Sequence, residues 1–283
     1  MRYRKTLIRE RADEVNRLQK TLEGANIKLA MVATDILGAS GQQILKALIE
    51  GTDDPETLAA MAKGRLRTKQ ADLAQAVYGK MSAHQRFLLQ EQLGQIEDLE
   101  ARIARLSQEL EKRLRPCEQE QAALVLLDAI PGVGRTVAET VIVEIGVDMS
   151  RFPSAAHLAS WAGLCPGNNE SGGKRKSGRT RKGDPWLWET LVEAARAAAR
   201  TRGSYLAAQY RRIAARRGGK RAALAVAHTI LVIICHMLKG GTVYSDLGDT
   251  YFDQRDKQAI ARRARKRLEA LGFRVTIEEL AAA

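Results

Sequence analysis

Leu89, Leu93, Ile96, Leu99, Ile103, Leu106, Leu110 and Leu114 recur at intervals of three and four residues. Only an α-helix of about seven turns puts all of them on one line, because 3.6 residues complete a turn. A stripe this narrow, flanked by charged residues, reads as a coiled-coil seam. Pro116 ends it, since proline lacks a helical donor and clashes with the turn before it. The seam needs an apolar partner, and two are available. One is the amphipathic stretch 2–22, with Leu7, Val15, Leu18 and Leu22 at helical spacing; the other is the same seam in a second copy. The length of the polar-flanked stripe leans toward a like helix, but spacing leaves both open.

Helical patterning continues along the chain. Residues 27–37 resume it after Gly24, and Gly38, Ser40 and Gly41 mark a turn before the apolar run 44–49. Asp54 followed by Pro55 is an N-cap with proline at the first helical position, so a helix should run from there to about Lys63. Further helices are predicted over 68–78, 122–129, 137–145, 155–162, 185–202, 205–216 and 222–238. Only 273–277 alternates as a strand should. The expected fold class is therefore all-α: a long antiparallel or coiled-coil helical arm, then a helical C-terminal domain.

Several classes are excluded early. At 45% hydrophobic residues over 283 positions, a core can form. The apolar stretch 222–238 is interrupted by His228 and His236 and reads as a buried helix, so no membrane partner is expected. The N-terminus is charged from its second residue, unlike a signal or transit peptide. Cys117, Cys165 and Cys235 are far apart and odd in number, which fits reduced thiols in a cytoplasm. No spacing suggests a zinc site, and no metal ligand is assigned.

The net charge of +13 is concentrated. Residues 165–221 hold 15 basic side chains against Glu170, Asp184, Glu189 and Glu193, a net +11, while the other 226 residues carry +2. One basic block of that size points to phosphate backbones, and so to DNA or RNA, ahead of a merely solvated face.

Two motifs could carry chemistry. The first is Ile130-Pro131-Gly132-Val133-Gly134 ahead of the apolar helix 137–145. It is a helix-hairpin-helix pattern, in which Gly132 and Gly134 permit close backbone approach and the free amides of the second helix receive a phosphate. Such a contact holds a duplex without reading bases. The second is the segment 163–183, too rich in glycine for a helix. Ser171 lies there between Glu170 and Gly172, followed by Lys174, Arg175, Lys176, Arg179, Arg181 and Lys182. A serine in a glycine-rich setting beside dense cations has what a phosphodiester nucleophile needs, except a local base. On the residues alone, the loop reads more readily as a phosphate-binding element than as a catalytic one. Trp186 and Trp188 could stack on bases or anchor the core, and His228 and His236 read as core or helix-end residues.

IPGVG, the string EIGVDMSRFPSAAHLASWAGLCPGNNESGGKRKSG and its continuation RTRKGDPWLWETLVEAARAAARTRGSYLAAQY resemble the C-terminal domain of the IS-one-ten family of insertion-sequence transposases. That family includes Piv-like DNA invertases and bridge-RNA-guided recombinases. The N-terminal RYRKTLIRERADEVNRLQKTLEGANIKLA and the heptad helix resemble its central helical region. The resemblance implies cutting and rejoining of DNA by two domains. One is a RuvC-like domain whose four acids hold magnesium; the other is the helical domain, whose loop serine forms a phosphoserine link. The matching position is Ser171, with Ser177 as the fallback. Structured RNA is a further implied partner.

Against that pattern, the chain is expected to lack the RuvC-like half, because no early strand holds a first carboxylate. Asp13, Glu14, Asp53 and Asp54 sit in or beside helices. No cofactor is then expected in this chain, magnesium being implied only with a RuvC-like domain, and the chain alone should be inactive or nearly so. The expected organisation is 1–118 with a coiled-coil arm over 83–115, a DNA-binding serine domain over 119–253, and a basic tail helix with a short strand over 254–283. The arm would pair with a second copy or with an intact transposase. The alternative is a non-enzymatic nucleic-acid-binding or regulatory protein.

Overall fold

A computed structural model describes residues 1–114, 118–167 and 169–277, and only the backbone of Asn169, Arg175, Lys176 and Ser177. Pro116, Cys117 and Asn168 lie outside the described residues. The chain divides into two units, Met1–Arg113 and Leu114–Ala283.

In the first unit, α1 (Arg2–Gly24) buries Leu7, Leu18 and Leu22 on one side. It is followed by α2 (Leu29–Val32), α3 (Ala39–Glu50), α4 (Pro55–Ala60) and α5 (Gln70–Ala76), and then by the long α6 (Ala83–Leu114). Arg11 pairs with Glu100 at 2.5 Å, whereas Gly24 lies beside Gln85. Numbers fall along one helix as they rise along the other, so α1 and α6 run antiparallel. The first half of the heptad stripe thus finds its partners within the chain: Leu89, Leu93 and Ile96 join Leu18, Leu22, Ile44, Leu48, Leu58 and Leu73 in one core. Each such fully buried side chain contributes about 1.5–3 kcal/mol. Farther along α6, Ile103, Leu106 and Leu110 are only half-buried.

Local signals set the boundaries. The Asp54 carboxylate accepts the Thr57 amide at 2.8 Å and starts α4 with Pro55 at its first position. Asp53 beside it pairs with Arg86 at 2.6 Å, and Arg86 also donates to the Leu48 carbonyl, which ties α6 to the end of α3.

The second unit runs α7 (Glu118–Asp128), α8 (Arg135–Ile145), α9 (Ala155–Trp161), the strands β1 (Asn169–Ser171) and β2 (Lys174–Ser177), α10 (Pro185–Ala198), α11 (Tyr205–Arg217), α12 (Gly219–Gly240), α13 (Tyr251–Arg255) and α14 (Lys257–Glu269). The centre is α12, against which α9, α10 and α11 all pack. By length and composition α12 could cross a membrane. Here its apolar positions, from Ala222 and Val226 to Ile234 and Met237, are buried by neighbouring helices. Ala194, Ala195, Ala198, Ala207, Ala223 and Ala227 are all buried on α10, α11 and α12, and side chains this small allow close packing of helices. Asp184 caps α10 through the Leu187 amide (2.8 Å) and Ser204 caps α11 through the Ala207 amide (3.2 Å).

Two sequence expectations need correction. The strand predicted at 273–277 does not form; that stretch is irregular, because its alternation has no neighbouring strand to pair with. Conversely, the segment expected to be an irregular loop holds both of the strands found among the described residues.

Candidate nucleic-acid interface

The hairpin is built from its tip. Gly172 and Gly173 have φ of +57° and +72°, and Ser171 pairs across them with Lys174. Two consecutive positive φ values in a two-residue connection make a type I′ turn, whose twist matches that of the strands it joins. Glycine supplies both at no steric cost. Behind the tip Glu170 pairs with Arg175, and Asn169 with Ser177, so Lys176 is an extra residue that shifts the register.

The base is held as firmly. The Gly167 amide donates to the Arg179 carbonyl at 2.9 Å, and Pro166 bridges Thr180. Below them Gly163 and Gly183 meet backbone to backbone, so that a Cβ on Gly163 would stand 2.8 Å from the Gly183 nitrogen. The chain then enters α10 through Asp184. Ser171 is thereby carried outward on a short two-stranded arm. Its hydroxyl is exposed and has no hydrogen-bonded partner among the described residues. Lys174, Arg179, Arg181 and Lys182 are exposed along the same segment, and Lys174, Arg181 and Lys182 pair with no acid among the described residues. Of Arg175, Lys176 and the fallback Ser177 only backbone positions are described.

The turn between α7 and α8 divides its two glycines. Gly132, at φ +83°, packs against α10: a Cβ there would lie 2.6 Å from the Ala198 nitrogen. Gly134 precedes the first turn of α8, has nothing within reach of a Cβ, and no side chain caps the helix. Ile130 and Val133 are buried between these points and fix the turn to the core. Open backbone at the start of α8 is thus attached to Gly134, and the missing side chain of Gly132 is accounted for by packing.

Other candidates take definite places. Trp186 and Trp188 are half-buried at the start of α10, whereas Trp161 is 45% exposed at the end of α9, two residues before Gly163. Sequence reasoning passes over Trp161, although an aromatic directly before a glycine-rich segment is the available signal. Its ring leans on Phe152 at 5.8 Å. Burial pushes the Cys165 thiol above its ordinary value. His228 is half-buried and its pKa is lowered by that burial, while His236 is exposed.

The acids weighed for a magnesium site are engaged elsewhere or apart: Glu14 pairs with Arg17 at 2.5 Å, Asp53 with Arg86, and Asp54 caps α4. Among the described residues no three His, Cys, Asp or Glu side chains gather as a metal would require. Glu14, Asp53 and Asp54 are therefore not gathered as a magnesium site.

Fold and site together define an α-helical domain that displays a glycine-tipped cationic hairpin at one end of α10 and a glycine-containing helix turn near the other. Residues 125–211, which span both elements, match the family described as Transposase IS116/IS110/IS902. It is 33% identical over 114 residues to a probable family 20 transposase of Pseudomonas aeruginosa, a match covering 40% of this chain and 32% of that protein. A stretch of 47 residues is 49% identical to the insertion element IS110 uncharacterized 43.6 kDa protein of Streptomyces coelicolor, covering 17% of this chain and 11% of that one. A stretch of the same length is 51% identical to the pilin gene-inverting protein of Moraxella bovis, covering 17% and 14%. The chain therefore spans about a third or less of the length of these relatives.

Proposed function

We propose that this chain takes part in DNA transposition or site-specific recombination, holding DNA by its phosphates and presenting Ser171 to a phosphodiester. The observation that carries the reading is the hairpin itself: Ser171 and Lys174 flank a two-glycine tip within the family-matching segment. An exposed hydroxyl on a narrow, side-chain-free tip can approach a phosphorus atom closely. Lys174, which faces Ser171 across the tip, supplies positive charge for the pentacovalent phosphate, while Arg179, Arg181 and Lys182 at the hairpin base hold the neighbouring phosphates of the strand. In the transfer, a bond forms from Ser171 Oγ to phosphorus as the bridging ester bond breaks. The serine proton is lost and the departing oxygen gains one, leaving a phosphoserine link and a free strand end. The open start of α8 at Gly134 grips the backbone at a second point, with Gly132 setting its position against α10.

A serine without a hydrogen-bonded base is a poor nucleophile, and that observation favours a second reading, a DNA- or RNA-binding module without chemistry of its own. In the first reading Ser171 depends on an activating group brought by another domain or subunit, and the chain alone has little or no activity. The half-buried Ile103, Leu106 and Leu110 on α6 suit pairing with a second copy or an intact relative. The setting is the cytoplasm, where the DNA lies.

One experiment separates the readings. The chain is incubated with duplexes bearing the ends of an insertion sequence, alone and mixed with a full-length relative, and denatured to trap covalent adducts. An adduct that disappears in Ser171→Ala supports the nucleophile. An adduct that survives the substitution removes the assignment, and no adduct in either mixture leaves the binding module.

A further inference from the structure

The C-terminal helix α14 belongs neither to the hairpin nor to the α7–α8 turn, and none of its residues is buried. Its root is nevertheless fixed. The Tyr205 ring stacks on Phe252 at 5.1 Å and meets Tyr251 edge-on at 5.2 Å. Arg212 lies over Phe252 at 5.5 Å and pairs at 2.6 Å with Asp256, the residue at the N-cap of α14.

Along the helix, Ile260, Ala264 and Leu268 follow at four-residue steps on one side, and the cations take the rest. Arg265 pairs with Glu269 at 3.5 Å. Arg262, Arg263, Lys266 and Arg267 meet no carboxylate among the described residues. These four form two like-charged pairs four residues apart, Arg262 with Lys266 and Arg263 with Arg267, an arrangement that destabilises a helix. No burial offsets the repulsion. A helix that keeps such a stripe without a counter-charge is matched to a polyanion outside the chain.

We propose that α14 is a second DNA contact, lying in the major groove of a duplex with Arg262, Arg263, Lys266 and Arg267 on its phosphates. Size supports duplex DNA, because a helix with side chains is about 10–12 Å across and the B-form major groove is about 12 Å wide. The A-form groove of RNA is too narrow for it. A lipid surface suits the helix less well, since within α14 only Ile260 and Leu268 are large and apolar and there is no Trp or Phe to enter a bilayer interface. The inference rests on the reading of the chain as a DNA-handling protein, and its test keeps the two apart.

The full chain is titrated onto a defined DNA duplex over a series of salt concentrations, beside a variant with Arg262, Arg263, Lys266 and Arg267 all changed to Gln. The slope of log affinity against log salt should fall by about 3 to 4, at about 0.9 for each phosphate that is no longer neutralised. Lysine at the three arginine positions should keep the slope. None of the four positions is buried, so the thermal melt of the Gln variant serves as the folding control and should not fall below the parent's. An unchanged slope in this variant, with a reduced one in Lys174→Gln/Arg181→Gln/Lys182→Gln, overturns the α14 contact and leaves the hairpin reading intact. A parent affinity that ignores salt overturns both. Loss of binding to vesicles of phosphatidylserine and phosphatidylcholine, with DNA binding unaltered, assigns the helix to membranes instead.

Discussion

Gly163 and Gly183 touch backbone to backbone at the root of the hairpin that carries Ser171. The contact closes a 21-residue segment, from 163 to 183, with no side chain between its ends. An alanine at Gly183 would run into the backbone of Ala162 and Gly163. We expect Gly183→Ala to cost about 1–3 kcal/mol through overpacking. Chemical denaturation measures the loss, and an unchanged midpoint would show that the root opens freely.

Gly132 and Gly134 should respond differently to the same change. Gly132→Ala meets a left-handed backbone, costing about 1–2 kcal/mol, and a clash with α10 costing about 1–3 kcal/mol more. Gly134→Ala points into open space and should cost about 1 kcal/mol or less as a poorer N-cap. If Gly134 receives a phosphate, its alanine variant keeps the fold and loses DNA affinity, which calorimetry and a binding titration read separately.

The two halves of the α6 stripe should also part. Ile96→Ala removes a side chain from the core and is expected to cost about 2–5 kcal/mol. Leu106→Glu with Leu110→Glu, at half-buried positions, should change stability by under about 1 kcal/mol each. If that stretch pairs with another copy, light scattering finds a dimer for the parent and a monomer for the double variant. A monomeric parent removes the seam.

His228 gives the second unit a pH dependence. Burial lowers its pKa below the ordinary 6.5, so the unfolded chain takes up the proton first as pH falls. Its contribution to stability is complete above that value and is lost as pH drops toward the folded pKa. Melting temperatures measured from neutral to mildly acid pH should fall, and less steeply in His228→Gln.

Helix positions were legible because their signals are local: Asp54 before Pro55 is a cap that its neighbour reveals, and the structure adds Asp184 and Ser204 as caps of the same kind. The antiparallel partner of α6 was one of two options, and the ion pair between Arg11 and Glu100, remote in sequence, selects it for the first half of the stripe. The hairpin was not legible. Glu170, Ser171, Lys174, Arg175 and Lys176 have neither β-forming side chains nor alternation; Gly172 and Gly173, and closure far away at Gly163 and Gly183, make them strands. The reverse error at 273–277 has the same origin, since alternation supplies a face but no partner strand. Nor does the IPGVG string reveal that the missing side chain of Gly132 serves α10.

Gly132 rests near the end of α10, at Ala194 and Ala198, and Gly183 stands just before its start. One rigid helix therefore acts as a ruler between the turn and the hairpin root. At 1.5 Å per residue its length is about 20 Å, the rise of about six base pairs of DNA. Lengthening or shortening α10 by a turn would change the spacing between the turn and the hairpin root while leaving every residue of both in place, and a duplex held at both points as proposed would no longer fit.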